Sequence, residues 1–158
     1  MIDTDRLHLR PWRVSDAAMQ HQLWTERDAR VPPHRRIDAD GHPTVADLEA
    51  RGSQGLLVIE IASSGEAIGY CGLVDGPHGG PELAFELLRD HWANGYATEA
   101  ARAVIAQART TGTIRLFAGV RDWNVASRRV LEKLGFVETG IVEPSEPYGD
   151  SLVLSLEL

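Results

Sequence analysis

The stretch of this chain best suited to chemistry is His91–Ala108, HWANGYATEAARAVIAQA, where a tryptophan and a short glycine turn run into an alanine-rich helix. From Tyr96 on, apolar residues fall at Ala97, Ala100, Ala101, Val104, Ile105 and Ala108, the spacing of one helical face, while Glu99, Arg102 and Arg109 lie off it. The first turn of a helix leaves N–H groups without intrahelical partners, and the helix dipole adds partial positive charge there. A helix opening after Asn94-Gly95 is therefore suited to an anion, and a phosphate fits. The same residues would also serve as a plain turn ahead of a packed helix, and the rest of the chain has to decide between the two. No GxxxxGK[ST] and no GxGxxG after a first strand occurs, which excludes nucleoside triphosphate and dinucleotide loops. Cys71 lies in the apolar segment Ile68–Val74 and reads as a buried thiol rather than a nucleophile. His34, Asp38, Asp40 and His42 fit no metal-ligand spacing and read as a solvated loop, so no metal is expected.

Composition bounds the partners. With 158 residues and 43% hydrophobic content, residues 1–158 read as one domain able to bury a single core. A formal charge of −7 argues against nucleic acid and anionic membrane surfaces and favours cationic partners such as amines or basic peptides. A single cysteine excludes an intrachain disulfide, and no run resembles a signal peptide or an apolar span of about 20 residues, so a cytoplasmic protein is expected.

The elements that must position the helix start follow in order. Thr4–Arg10 alternates Leu7 and Leu9 with polar residues, a half-buried strand ended by Pro11. Ser15 or Asp16 caps a helix reaching about Trp24, and Asp28–Pro43 is a long polar loop in which Pro32-Pro33 bars helix. Thr44 caps a short helix through Arg51. Leu56–Ile61 and Ala67–Val74 form a hairpin about Ser63–Glu66, and GPHGGP at Gly76–Pro81 is a flexible connection. Glu82–Leu88 is a further strand with Glu82 and Glu86 on its polar side. After the long helix come the strand Arg115–Val120, a helix capped by Asn124 and closed at Gly135, and the strands Phe136–Val142 and Ser151–Leu156. Trp12, Trp24, Trp123 and Tyr148 could line a cleft, but aromatics in a small domain more often belong to its core. The order β-α-α-β-β-β-α-β-α-β-β is a mixed α/β layout.

Three segments carry a family resemblance. Trp92-Ala93-Asn94-Gly95-Tyr96-Ala97 falls on the Gln/Arg-x-x-Gly-x-Gly/Ala acyl-CoA loop of the GNAT N-acetyltransferase superfamily, with Trp92 in place of Gln or Arg. The longer W-x-x-G-Y-A-T-E-A resembles the RimJ/RimL-like branch, which acetylates ribosomal-protein N-termini and commonly has glycine where Ala93 stands. Thr4, Arg6, Leu7, Leu9, Arg10 and Pro11 match that branch's T-x-R-L-x-L-R-P, and Val120–Phe136 is similar to V-x-x-x-N-x-x-S-x-R-V-L-x-K-L-G-F.

The resemblance implies the GNAT fold: a mixed, mostly antiparallel sheet of about seven strands flanked by about four helices. The fourth strand is splayed by a bulge from the next. Acetyl-CoA would be held by Leu87, Leu88, His91, Trp92, Ala93, Asn94, Gly95, Tyr96, Ala97 and Thr98, with Asn124 and Ser127 near the pantetheine and sulfur. The acceptor would be a primary amine, either a peptide N-terminus or a small amine, and related enzymes often dimerise. Acetyl transfer needs a neutral amine, support for the oxyanion and release of the thiolate. An α-amino group at about 7.7–8.0 asks much less of a base than a lysine at about 10.4. In the resembled fold that base is Glu82 or Glu86, or water held by one of them; either carboxylate could equally sit on a solvated strand face. Ser127 could assist the thiolate or bond back to its cap, since Leu131 replaces the tyrosine many members carry. Gly119 and Thr139 stand where some relatives have glutamate. A non-catalytic acyl-CoA-binding or sensing domain is the alternative, in which Glu82, Glu86 and Ser127 would all be dispensable.

Overall fold

In a computed structural model that describes residues 1–53 and 55–158, the alternating segments pair into one eight-stranded sheet. The strands are β1 (Ile2–Asp3), β2 (Leu7–Arg10), β3 (Leu57–Ile61), β4 (Ala67–Asp75), β5 (Pro81–Leu87), β6 (Arg115–Arg121), β7 (Val137–Glu143) and β8 (Ser151–Glu157), in the order β1-β2-β3-β4-β5-β6-β8-β7. Every neighbouring pair is antiparallel except β5 and β6, which a helical crossover makes parallel. The α-helices are α1 (Ala17–Glu26), α2 (Val45–Arg51), α3 (Tyr96–Thr110) and α4 (Val125–Lys133).

The strand count exceeds the expected seven because Ile2–Asp3 forms a short strand ahead of the expected first one, which is itself confined to Leu7–Arg10. The Thr4 N–H bonds the Leu7 carbonyl at 2.9 Å, closing a turn that folds Ile2–Asp3 back against Leu9 and His8. Asp16 does not cap α1 with its side chain. It is 3% exposed and takes two hydrogen bonds from the Arg10 guanidinium, at 2.8 and 2.9 Å, while Glu60 engages the same guanidinium from β3. A buried charge is held only when paired in this way. Thr44 does cap α2: its hydroxyl accepts from the Asp47 N–H, and the Asp47 carboxylate accepts from the Thr44 N–H.

One core joins Leu9, Ile59, Cys71, Leu83 and Leu87 of the sheet to Ala100, Ala101, Val104, Ile105 and Ala108 of α3 and Leu131 of α4. The five α3 residues are the stripe expected from the 3.6-residue period. Because strand side chains alternate, Glu82 and Glu86 lie on the opposite face, on the side of α1 and α2. Cys71 is fully buried, which pushes its thiol up to about 12 and leaves it inert. Among the described residues no helix is long and apolar enough to cross a membrane.

Candidate active site

The candidate site is a fork in the sheet. β5 follows β4 without interruption from Asp75↔Pro81 to Gly69↔Leu87, and β6 is paired with β8 along its whole length. Between β5 and β6 a single pair remains, Glu82↔Phe117. The splay is therefore present, but no register shift in the β4–β5 ladder accompanies it, contrary to the expected bulge. Each arm simply follows the partner to which it is fully bonded. Gly69 allows close approach on the β4 side, since a Cβ there would lie 2.0 Å from the Glu86 carbonyl oxygen.

At the open end of the fork the chain turns into α3. The Trp92 indole N–H donates to the Leu87 carbonyl at 2.8 Å, and the Leu88 N–H donates to the Ile68 carbonyl at 2.9 Å. Leu87 and Leu88 thus spend these groups on fixing the loop. The Asn94 amide donates to the carbonyls of His91 and Trp92, and His91 pairs with Glu66 at 3.2 Å. Gly95 takes φ 78°, and Ala93 takes φ 62°, the left-handed region that a glycine occupies without strain. The first intrahelical bond runs from the Glu99 N–H to the Gly95 carbonyl at 3.0 Å, leaving the N–H groups of Tyr96, Ala97 and Thr98 without an intrahelical acceptor.

Beside this helix start is an open cleft of about 700 Å³ lined in part by Arg6, Thr98, Arg102 and Lys133. Its three cations outnumber the carboxylates of Asp5 and Glu99 that also line it, a balance that suits a phosphate-bearing ligand. Arg6 stacks over the Tyr96 ring at 4.5 Å and donates to Glu99 at 2.7 Å, while the Thr4 hydroxyl donates to the same carboxylate at 2.6 Å. Burial works against ionising Glu99, but these donors outweigh it and hold its carboxyl below the usual range. The sequence did not mark these cations as one cluster, because the turn before β2, α3 and α4 supply them from distant positions.

The two glutamates of β5 have different surroundings. Glu86 is held by the Arg27 guanidinium at 3.1 and 3.2 Å and by the Tyr70 hydroxyl at 3.0 Å. Arg27 in turn lies 4.3 Å from the Trp24 ring centre. Burial, then the Glu86 charge, pushes the Tyr70 phenol up. Glu82 instead meets His78, whose Nδ1 lies 3.0 Å from its carboxylate. Beyond the end of β6, Asn124 caps α4 by accepting the Ser127 N–H at 3.2 Å, while the half-buried Ser127 hydroxyl makes no hydrogen bond among the described residues. The aromatics expected in the core are only partly buried: Trp123 carries Arg30 at 4.2 Å over its ring and donates to the Tyr148 carbonyl, linking three loops near the cap. In the polar loop, Asp38 accepts the N–H groups of Asp40 and His42. Among the described residues no group of three or more His, Cys, Asp or Glu side chains is arranged to hold a metal ion.

The profile of the family described as "Acetyltransferase (GNAT) domain" matches residues 6–137. The uncharacterized N-acetyltransferase p20 of Bacillus licheniformis is 28% identical over 152 residues, covering 90% of this chain and 85% of p20. The crystal structure of an acetyltransferase (GNAT family) from Bacillus anthracis has a TM-score of 0.83 at 18% identity, over 99% of this chain and 97% of that one. The structure of yncA from Salmonella typhimurium with its cofactor acetyl-CoA has a TM-score of 0.69 at 23% identity, over 98% of this chain and 95% of that one.

Proposed function

The chain belongs to the acetyltransferase (GNAT) family and is an acetyltransferase, and from that premise we propose that it moves an acetyl group from acetyl-CoA to a primary amine by direct attack in a ternary complex. The observation that carries this reading is the fork, open between β5 and β6, with a bare helix start at one end and the Glu82 carboxylate at the other. Acetyl-CoA supplies an activated acetyl thioester. The N–H groups of Tyr96, Ala97 and Thr98 face its phosphates, with Arg6, Arg102 and Lys133 supplying countercharge. Leu87, Leu88, His91, Trp92, Ala93, Asn94 and Gly95 set the loop's path, with Trp92 fastening it to β5.

Glu82 takes the proton from the acceptor ammonium, and Glu86 is the anion that holds Arg27. Ser127, free to donate, supports the departing sulfur; a thiol of about 8.5 needs only a hydrogen bond. The RimJ/RimL-like resemblance supports a peptide N-terminus as acceptor, whose α-amino group of about 7.7–8.0 demands little of a single carboxylate. A small primary amine is the other acceptor class. Thiol release from acetyl-CoA is the test, read against peptides with free N-termini and against small amines. Turnover on one panel assigns the acceptor. Calorimetric binding of acetyl-CoA with turnover on neither would refute amine transfer.

A further inference from the structure

The GPHGGP connection, expected to be flexible, is packed against the fork. A Cβ at Gly76 would lie 2.4 Å from Glu82 Cγ, and one at Gly80 3.2 Å from the Arg115 carbonyl oxygen, so the segment lies close against the Glu82 side chain and β6. It delivers His78, whose side chain is 15% exposed, onto the sheet face that carries Glu82. Nδ1 is 3.0 Å from Glu82 and Nε2 is 2.8 Å from Glu143 of β7, while the ring packs 5.9 Å from the centre of Phe117. Phe117 is the β6 residue of the one remaining β5–β6 pair.

A neutral imidazole has one N–H and one lone pair, so it can donate to only one carboxylate; holding two requires the imidazolium. We propose that His78 is a positioning residue of acetyl transfer: as an imidazolium it fixes the Glu82 carboxylate at the apex of the fork, and its second N–H makes that hold depend on Glu143. The proposal rests on Glu82 being the base. Glu82 and then Glu143 hold the imidazole above its ordinary 6.5, and they are the two charged groups that face it, since the neighbouring Phe117 is uncharged. When the proton leaves, one of the two bonds goes with it, and His78 no longer ties the Glu82 carboxylate to Glu143.

Two measurements on the full chain test this. In thiol release, His78→Asn lowers kcat about tenfold or more while the KM for acetyl-CoA stays within about twofold, because misplacing a reacting group costs rate rather than binding. Glu143→Gln moves the alkaline limb of wild-type kcat to lower pH, and in ¹⁵N NMR of the free protein it moves the His78 imidazole titration the same way. An unchanged kcat in His78→Asn, beside an inactive Glu82→Gln, would overturn the role of His78 and leave Glu82 standing. Full activity of Glu82→Gln would instead overturn the base assignment. An imidazole that titrates identically in wild type and Glu143→Gln would refute the bridge.

Discussion

Glu82 and Glu86 have the same charge on the same face of one strand, and only their neighbours separate them. Arg27 and Tyr70 occupy both oxygens of Glu86, whereas Glu82 keeps an oxygen clear of His78. Glu82→Gln should therefore lower kcat by about 10²-fold or more with acetyl-CoA affinity unchanged, the usual weight of a positioned base. Glu86→Gln should act on stability first, at roughly 1–3 kcal/mol, because it strips the charged partner from Arg27, whose side chain is 12% exposed. Thermal melts beside kinetics separate the two, and equal kinetic losses would contradict the division. The sequence left the two glutamates equivalent because Arg27 and Tyr70 reach Glu86, and Glu143 reaches the Glu82 partner His78, through tertiary pairing. Ala93 was legible as a departure from the glycine common in the resembled branch, and its φ of 62° gives that departure a physical cost. Ala93→Gly should stabilise the fold by about 0.5–1 kcal/mol, strain relief exceeding the added chain entropy, and raise Tm by roughly 2 °C. A lowered Tm would mean that the methyl group has contacts outweighing its strain.

Elements whose signal is local were legible with near-correct bounds. The α3 stripe, the Asn124 cap with Gly135 after α4, and the Thr44 cap on α2 each depend on residues within a few positions of one another. The short strand β1, the cleft cations and the fork depend on contacts between elements, which local periodicity does not record. Glu99 joins the two kinds of element: it lies in the first turn of α3 and accepts from the Thr4 hydroxyl, the Arg6 N–H and the Arg6 guanidinium. Glu99→Gln should cost about 1–2 kcal/mol and also raise the Kd for acetyl-CoA several-fold, because Arg6 is then no longer held beside Gly95 and Tyr96. Calorimetry at low and high salt checks this. The affinity loss should shrink as salt screens the Arg6 charge, and a salt-independent loss would point to a collapsed loop instead.

Across the whole molecule, the ionic ties give stability a defined pH window. Burial opposes ionisation of Asp16, but Arg10 and the Arg13 N–H overcome it, and Glu99 is held low against the same opposition. The Thr44 N–H and hydroxyl lower Asp47, and Arg30 brings Asp28 down to about 2. A carboxyl depressed on folding contributes stability that is fully present above its unfolded pKa, about 4, and is lost as pH falls through the folded value. His78 has the opposite sign: raised by Glu82 and Glu143, it contributes fully below 6.5 and loses that contribution as pH rises through its folded value. Higher still, the unfolded Cys71 thiol ionises near 9 while the buried one stays protonated to about 12, so stability falls again. Tm should therefore peak between about pH 5 and 6.5 and decline on both sides. His78→Asn should flatten the first alkaline decline and leave the acid side as it was, whereas Glu99→Gln should soften only the acid side. An alkaline decline that survives intact in His78→Asn would place the titrating group elsewhere and detach the His78 bridge from the folded state's pH dependence.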